Sequence, residues 1–524
     1  MYIRITKTLW LLLCIVLLAA PGCKKNTFNI NDSNPNNPVP SAVSPSLLLS
    51  GALKQTADIV RGGQTNLNPN PAVPTSLIYG DPDYIELYMG YWAVSGDYIP
   101  NTQTLTYQTT TDYGADNWNS GYLLIENIRL MESVAATDPN AGYYVAMGKI
   151  MEAFNFERLV DQYNDIPYTQ ALQGGTIDFP KYDKAADVYD SCLALLNAGI
   201  SMIMTDTANV NVENPGTYDI MFGGNMDEWI QFANTLKLKM AMNMTLASGG
   251  SAFITSALQG TSTYGFLEAG EDAAVQPGYT NSSEEQQSPF YFDMGLSTSG
   301  APQQNQSYLR ACSYIVNFMA ANTDTLRLYQ LFAPNVNGQV LGRPFGSNVS
   351  VGQDNQHISG MGPGLLQTAS SSAVILPACE SFFLQSEAAL DGYISGNAGG
   401  LYQNAVEESF RLLQVNNPYS SADQYLTSQA SNANVGFASS PNQLQTIITQ
   451  AWVAYSGFDP LAAWNNWRRL GIPTSLPVSQ FDGSVATHIP YRLLYPTSEY
   501  SYNTVNVDAE GTINNMTSTI FWMP

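Results

Sequence analysis

Apolar residues recur every three or four positions in many segments of this chain, and this helical period constrains the fold more than any other feature. Each stripe covers one face of a helix, so each helix needs a neighbour that buries the stripe. The pattern predicts an all-α protein in which paired helices stack into a solenoid-like body. A repeat of about 34 residues has no clean register in the sequence. The clearest stripes lie in residues 141–160, 185–200, 227–244, 375–390, 401–413 and 443–455.

Three long connections interrupt the helical segments. Residues 69–108 are rich in Asp, Tyr, Pro and Thr, and residues 260–307 are rich in Gly, Ser, Gln and Asn. Residues 334–372 contain many glycines. Connections of this length in a compact protein are usually functional or mobile. We therefore expect a helical body that presents long irregular loops with minor strands.

The N-terminus has the composition of a secretory signal. Arg4 and Lys7 precede an apolar run that is too short to cross a hydrocarbon core of about 30 Å. Small residues then precede Cys23, and this short segment resembles the lipobox of bacterial lipoproteins. Pro21 departs from the small residue that is usual at its position. An ordinary secreted protein is the alternative. The predicted divisions are a signal peptide at 1–22, a lipidated N-terminus and tether at 23–45, and a single globular domain at 46–524.

The chain is strongly acidic, with a net charge of −23, and loss of the signal peptide removes two further positive charges. Such a surface repels nucleic acid and anionic lipid headgroups, so we expect no nucleic-acid partner and membrane contact through the lipid anchor only. Cys192, Cys312 and Cys379 each lie in a stretch of helical period. They are predicted to be buried free thiols rather than a disulfide framework.

The sequence predicts no enzyme. Its two histidines, His357 and His488, lie in loop-like sequence, and no HExxH, GxSxG or P-loop motif occurs. Glu284 and Glu285 are adjacent and would point apart in an extended loop, which is wrong for a facing catalytic pair. We predict no catalytic residue and no cofactor. The segment 32–43 lacks the Gly and Glu of a calcium loop, and a structural calcium elsewhere among the acidic loops stays open.

An aromatic cluster surrounded by Asp and Asn is the predicted ligand site. Aromatic faces can stack on the apolar side of a sugar ring, while amides and carboxylates bind its hydroxyl groups. Four of these aromatic residues are spaced to share one helical face, and the alternative is that this face packs inward. The predicted ligand-binding residues are Asp81, Asp83, Tyr84, Tyr88, Tyr91, Trp92 and Tyr291. A second contribution is expected from Tyr279, Phe290, Tyr291 and Gln303 or Gln304.

Five sequence segments carry motifs that spread over nearly the whole mature chain. They are FNINDSNPNNP (28–38), DQYNDIPYTQA (161–171), WIQFANTLKLKMA (229–241), ESFFLQSEAAL (380–390) and WNNWRRLGIP followed by IPYRLLYP (464–496). In their order and spacing they resemble the SusD/RagB-like family of nutrient-binding outer-membrane lipoproteins from Bacteroidetes-type bacteria. Asn164 stands where Gly is commoner in the family motif, and Ser386 replaces Ala.

The resemblance implies a fold built on tetratricopeptide-like helix pairs. It also implies a lid-like partner role over a TonB-dependent, SusC-like barrel transporter, with capture of glycans or peptides at the outer surface. We therefore expect an outer-membrane lipoprotein that faces the cell exterior and captures a nutrient, with an oligosaccharide favoured. A peptide-binding counterpart and a structural or adhesive surface lipoprotein are the alternatives.

Most of the motif residues also have a structural interpretation. Trp229, Phe232, Ala233 and Leu236 have helical spacing and are predicted to be core. Glu380 and Glu387 lie seven residues apart on one helical face, and ion pairs with residues such as Arg468 or Arg469 are predicted for them.

Overall fold

Helices form most of the regular backbone structure, as the apolar period predicts. The computed structural model describes residues 43–62, 83–98, 101–484 and 486–524. Within these ranges the helices are α1 (Pro45–Arg61), α2 (Asp83–Tyr88), α3 (Thr102–Thr106), α4 (Ala115–Ala135), α5 (Gly142–Tyr163), α6 (Ala185–Asp206), α7 (Met226–Asn243), α8 (Gly250–Leu258), α9 (Pro289–Met294), α10 (Gln304–Tyr308), α11 (Ser313–Ala321), α12 (Thr325–Leu331), α13 (Pro363–Leu366), α14 (Ala378–Leu390), α15 (Ala398–Leu412), α16 (Pro418–Ser428), α17 (Gln443–Tyr455), α18 (Pro460–Leu470), α19 (Thr497–Tyr502) and α20 (Thr504–Ala509).

Consecutive long helices pack on one another in pairs. Helix α4 packs on α5, α5 on α6 and α6 on α7, while later in the chain α14 packs on α15 and α15 on α16. Helix α14 also contacts α7 and α17, so the two stacks share one core. This arrangement confirms the predicted all-α class with stacked helix pairs.

Helix α6 has the length and apolar composition of a membrane-spanning segment. One of its faces, which includes Val188 and Leu196, is buried, and the helix packs against α5 and α7. The opposite face exposes Asp187 and Asp190 to solvent. This division into a polar and an apolar face is typical of a helix at the surface of a helical stack.

Local signals explain where the two helices next to the main pocket begin and end. The side chain of Asn442 accepts a hydrogen bond from the backbone N–H of Gln445 at the start of α17 (3.1 Å). Asp459 caps α18 in the same way, with Pro460 at the first helical position. Gly471 ends α18 in the left-handed conformation, where glycine has no steric cost.

Two small antiparallel sheets join the long connections to one another. Strand β1 (Trp92–Val94) pairs with β3 (Leu309–Ala311), and β2 (Ala273–Val275) pairs with β4 (Ala373–Leu376) across a register shift. These are the minor strands that the sequence predicts. The first pairing sets Trp92 opposite Ala311, and it brings the connection after α2 alongside the start of α11.

The core contains the residues that the motifs predicted for it. Trp229, Phe232 and Ala233 are completely buried, Leu236 is nearly so, and the prediction for this helix is confirmed. Cys192, Cys312 and Cys379 are buried free thiols, as predicted. Aliphatic and aromatic side chains pack around them in one continuous cluster.

Two ion pairs bridge the helices inside this core. The Arg469 guanidinium donates to Glu387 with an Nη2–Oε2 distance of 2.8 Å, which confirms the predicted pairing with arginine. Glu380 instead lies 3.0 Å from the Nζ of Lys239, so the prediction of an arginine partner is wrong for that residue. The sequence does not predict Lys239 as the partner, because a fully buried lysine is rare.

Candidate ligand-binding pocket

An open pocket of about 490 Å³ lies between α11, the start of α17 and the segment that follows α18. This volume is within the range of small-molecule binding sites, about 300–1,000 Å³. The residues that line it are Cys312, Ser313, Tyr314, Asn317, Phe318, Pro344, Phe345, Asn434, Gln445, Thr449, Pro473, Thr474, Ser475, Pro477, Val478 and Gln480.

The lining combines aromatic rings with neutral polar groups. The rings belong to Tyr314, Phe318 and Phe345, and amides and hydroxyl groups surround them. Among the described residues that line the pocket, none is an Asp, Glu, Lys or Arg. A neutral pocket in a chain of net charge −23 is suited to an uncharged, hydroxyl-rich ligand.

Several polar groups in the pocket are free to bind a ligand. Within the described part of the chain, the side chains of Asn317, Gln445 and Gln480 have no hydrogen-bond partner. The side-chain nitrogen Nδ2 of Asn434 donates to Asn322 Oδ1 at 3.2 Å, which leaves the side-chain oxygen Oδ1 of Asn434 as an acceptor. Each free amide supplies both donors and an acceptor, which is what a sugar hydroxyl requires.

Trp452 supports the aromatic side of the pocket. The rings of Tyr314 and Phe318 each pack edge-on against it, with centroids 5.3 Å away. The ring of Tyr91 stacks on the same indole at 5.4 Å, and its hydroxyl donates to the Trp452 carbonyl oxygen at 2.5 Å. The Trp452 indole N–H donates to the carbonyl oxygen of Met89 at 3.0 Å. The pocket rings are therefore held by packing before any ligand arrives.

Hydrogen bonds hold the segment 473–480 against the rest of the pocket. The hydroxyl groups of Tyr314 and Ser475 lie 3.2 Å apart. The backbone N–H of Gln480 donates to the carbonyl oxygen of Phe345 at 2.9 Å. The backbone N–H of Ser479 donates to the hydroxyl oxygen of Tyr107, also at 2.9 Å. This wall of the pocket is thereby tied to elements from distant parts of the chain.

Two glycines allow the close approaches that shape the pocket. Gly90 has a φ of +71°, and a Cβ added there would lie 2.9 Å from Cδ1 of Tyr314. Gly346 has a φ of +73°, and its Cβ would lie 2.0 Å from the hydroxyl oxygen of Ser479. Any side chain at either position would combine a strained backbone with displacement of a pocket element.

Cys312 lies at the edge of the pocket without the properties of a nucleophile. Burial raises the pKa of its thiol to about 11, so the thiol is neutral at physiological pH. The nearest described groups that could activate it are backbone amides rather than a histidine or another base. The thiol therefore acts as a small apolar side chain in this wall.

The structure corrects the predicted role of the early aromatic cluster. Tyr84, Tyr88, Tyr91 and Trp92 are all buried, with 4% exposure or less, so they are not accessible to a ligand. They do not share one helical face either, because α2 ends at Tyr88 and Trp92 begins β1. The alternative, in which these rings pack inward, describes the structure. Their contribution to the pocket is indirect, through the contact of Tyr91 with Trp452.

Three further predicted ligand residues, Asp81, Asp83 and Gln304, lie wholly or partly outside the described part of the chain. Asp81 lies outside the described residues. Asp83 is the first residue of α2, and its side chain lies outside the described part of the chain, as does that of Gln304.

The predicted second contribution does not reach the pocket. Tyr291 is half-buried on α9 and is not among the lining residues. Tyr279 is buried, and the Phe290 ring lies under the guanidinium of Arg61 with 4.9 Å from Cζ to the centroid. Gln303 is half-buried and likewise lines no part of the pocket.

Sequence reasoning missed the pocket residues themselves. Tyr314, Asn317 and Phe318 are three and four positions apart on α11, so their spacing does predict one shared helical face. Cys312 and Ile315 have the same apolar period, which favours a buried face in this stretch and gives no sign of a ligand site. The remaining lining comes from separate segments, and no local signal links those segments to α11.

Groups of His, Cys, Asp and Glu side chains in the described residues are the places that could hold a metal ion. No group of three or more His, Cys, Asp or Glu side chains in these ranges is arranged to hold a metal ion. His357 pairs with Asp354 at 2.7 Å on the surface, outside the pocket. The pocket is thus the arrangement in the described chain with the clearest capacity to bind a ligand.

The stacked helix pairs described above agree with a match to a known family. The chain belongs to the SusD-like_2 family, described as starch-binding and associating with the outer membrane, whose family model matches residues 42–496. The predicted membership of the SusD/RagB-like family is confirmed. No curated protein matches the chain.

Solved structures show the same fold at low sequence identity. A SusD homologue from Bacteroides vulgatus matches with a TM-score of 0.73 and 19% identity, over 90% of this chain and 97% of that one. A chitin-binding SusD homologue from Flavobacterium johnsoniae matches with a TM-score of 0.71 and 21% identity, over 90% of this chain and 98% of that one. A SusD-like protein from Bacteroides thetaiotaomicron matches with a TM-score of 0.71 and 21% identity, over 91% of this chain and 98% of that one. These likenesses confirm the predicted tetratricopeptide-like helical fold.

Proposed function

We propose that this protein is a surface lipoprotein that captures a neutral oligosaccharide in the pocket beside α11 and delivers it to a TonB-dependent, SusC-like outer-membrane transporter. The observation that supports the ligand class is the pocket lining, in which Tyr314 and Phe318 stand among free amides and no charged side chain. The protein acts by binding, without catalysing a reaction. The family description, starch-binding and associating with the outer membrane, supports both the ligand class and the location.

The rings and the amides have separate roles in this proposal. The half-buried rings of Tyr314 and Phe318 stack on the apolar face of a pyranose. Asn317, Gln445 and Gln480 exchange hydrogen bonds with its hydroxyl groups, because each amide both donates and accepts. The absence of charge among the described lining residues disfavours acidic glycans, whose carboxylates would lose water without gaining a cation.

A binding experiment tests the ligand class. The purified full-length protein in detergent is titrated calorimetrically with maltohexaose, chitohexaose, a uronic-acid oligosaccharide and a mixture of neutral peptides. We expect saturable binding of a neutral hexasaccharide, and at least about a tenfold loss of affinity in Tyr314→Ala, equivalent to about 1.4 kcal/mol. Binding of peptides alone would overturn the glycan in favour of a peptide ligand. Saturable binding of none of them would favour a structural or adhesive role.

The anchor is tested separately, because residues 1–42 lie outside the described part of the chain. We propose that Cys23 carries the lipid and that the protein faces the cell exterior. A Cys23→Ser variant should appear in the soluble fraction, while the parent protein stays with the outer membrane and is digested by protease added to intact cells. Membrane retention of Cys23→Ser would contradict the lipid anchor.

The transporter partner has its own test. A tag on the C-terminus of this protein is used to purify the complex after mild detergent extraction, and mass spectrometry identifies what is recovered with it. We expect a large β-barrel transporter in about equal amount. Recovery of this protein alone, from cells grown with and without the hexasaccharide, would contradict the delivery step and leave the ligand class intact.

A further inference from the structure

A second group of half-buried aromatic rings lies outside the pocket, where the C-terminal segment passes α18. Trp467, His488 and Tyr491 are all partly exposed, and none lines the pocket. The centroids of the Trp467 and Tyr491 rings are 5.9 Å apart at an interplanar angle of 27°. Those of His488 and Tyr491 are 4.4 Å apart at 12°. The Trp467 and His488 rings are tilted against each other by 32°, with centroids 6.5 Å apart. We call these three contacting rings the ring platform.

Most polar atoms at the edges of the ring platform have no hydrogen-bond partner in the part of the chain that the structure describes. Among the described residues, none accepts from the indole N–H of Trp467 or pairs with the hydroxyl of Tyr491. The neighbouring Trp464 differs, because its indole N–H donates to the carbonyl oxygen of Pro490 at 2.9 Å. The Nδ1–H of His488 donates to the carbonyl oxygen of Ile489 at 2.8 Å, and Nε2 has no partner among the described residues.

Backbone contacts hold the ring platform in place. The backbone N–H of Tyr491 donates to the carbonyl oxygen of Asn515 at 2.8 Å. The carbonyl oxygen of Tyr491 accepts from Nη1 of Arg468 at 2.9 Å, and the Arg468 guanidinium is itself buried against Trp464. The rings are therefore positioned by the core beneath them, and a ligand would find the surface already formed.

We propose that the ring platform is a second contact for glycan chains. The part of these stacked rings that is open to solvent, with unpaired polar atoms at the ring edges, suits a pyranose, as in the pocket. The proposal rests on the glycan ligand proposed above. A long chain that occupies the pocket and the ring platform gains affinity from the second, intramolecular contact, while a short oligosaccharide occupies only the pocket.

Chain length provides the test. Full-length protein in detergent is assayed by calorimetry with maltohexaose and chitohexaose, and by affinity electrophoresis in amylopectin and glycol chitin. The variants are Trp467→Ala and His488→Ala, with Tyr502→Ala as the matched control, because Tyr502 is 77% exposed and belongs neither to the pocket lining nor to the ring platform. Near-UV circular dichroism checks that each variant is folded. His488 lies in a loop, so its variant decides the question if Trp467→Ala does not fold.

The expected result is at least about a threefold weaker interaction with the polysaccharide in both platform variants, with unchanged hexasaccharide affinity and an unchanged Tyr502→Ala control. Polysaccharide retention that survives in a folded His488→Ala protein would overturn the ring platform. An equal loss of hexasaccharide affinity in the platform variants would also overturn it, because it would indicate a structural role. A parent protein that binds the hexasaccharide and not the polysaccharide would overturn it as well. Tyr314→Ala separates the two proposals, because it weakens the hexasaccharide as well.

Discussion

Two groups of aromatic side chains meet at the ring of Trp452, and they have similar composition and different roles. Tyr91 belongs to a buried segment in which the hydroxyl of Tyr84 and the indole N–H of Trp92 both bind protein groups. Tyr314, on the other group, is half-buried beside amides that have no partner among the described residues. The comparison teaches that an aromatic cluster indicates a ligand site only where nearby polar groups remain unused.

The largest expected effect comes from the buried group. Trp92→Ala removes a fully buried ring and leaves the carboxyl of Glu86 without the indole N–H that donates to it at 2.7 Å. We expect the free energy of unfolding to fall by about 3–5 kcal/mol, measured by urea denaturation. The exposed control Tyr502→Ala should stay within about 0.5 kcal/mol of the parent protein. A loss of less than about 1 kcal/mol in Trp92→Ala would contradict its role in the core.

Gly90 precedes Tyr91 of the buried group and lies against Tyr314 of the pocket group, so its substitution affects both groups. Gly90→Ala forces a left-handed residue and pushes on the Tyr314 ring, with an expected cost of about 1–3 kcal/mol and a loss of hexasaccharide affinity. Denaturation and calorimetry measure the two effects. Gly249→Ala is the matched control, because Gly249 also has a positive φ of 77° while its Cβ would meet open space. If both variants bind the hexasaccharide equally well, Tyr314 does not form part of the site.

The Glu86 carboxyl, which accepts from Trp92 of the buried group, should also make the free energy of unfolding depend on pH. Burial raises the pKa of the Glu86 carboxyl to about 8, well above its value in the unfolded chain. Between about pH 5 and pH 8 the folded state therefore holds a proton that the unfolded state has released. Stability should fall as pH rises through this window, by up to about 1.4 kcal/mol per pH unit.

Glu86→Gln removes this titration, so its stability relative to the parent protein should improve as pH rises. Urea midpoints measured across the window test the change in slope, and Glu285→Gln on the exposed surface is the control. Parallel pH profiles for Glu86→Gln and the parent protein would show that the folded state does not retain this proton.

The smallest expected effect is in the pocket. Tyr314→Phe removes only the hydroxyl that lies 3.2 Å from Ser475 Oγ and keeps the ring against Trp452. We expect less than about 1 kcal/mol of lost stability and less than about a threefold change in hexasaccharide affinity, because one partly exposed hydrogen bond contributes little. A loss as large as that of Tyr314→Ala would show that the hydroxyl, rather than the ring face, binds the ligand.

Family motifs and local periods were enough to predict the fold. The stripe around Trp229 predicts a buried helical face from spacing alone, and the structure confirms it. The prediction for Glu387 succeeded for a similar reason, since a buried carboxylate needs a cationic partner and the arginines of α18 carry the right charge. Glu380 shows the limit of this reasoning, because its partner Lys239 lies on a different helix, for which the apolar spacing predicts only core packing.

The helical segments, their apolar faces and the family could be predicted from the sequence, because they depend on spacing along the chain. Which aromatic side chains line an open pocket depends on the tertiary structure. Tyr91 and Tyr314 are the same residue type in similar sequence surroundings. The packing of α2, β1 and α17 buries Tyr91 and leaves Tyr314 at the opening of the pocket. Burial is a property of contacts between distant segments, so a local pattern of rings and amides cannot specify it.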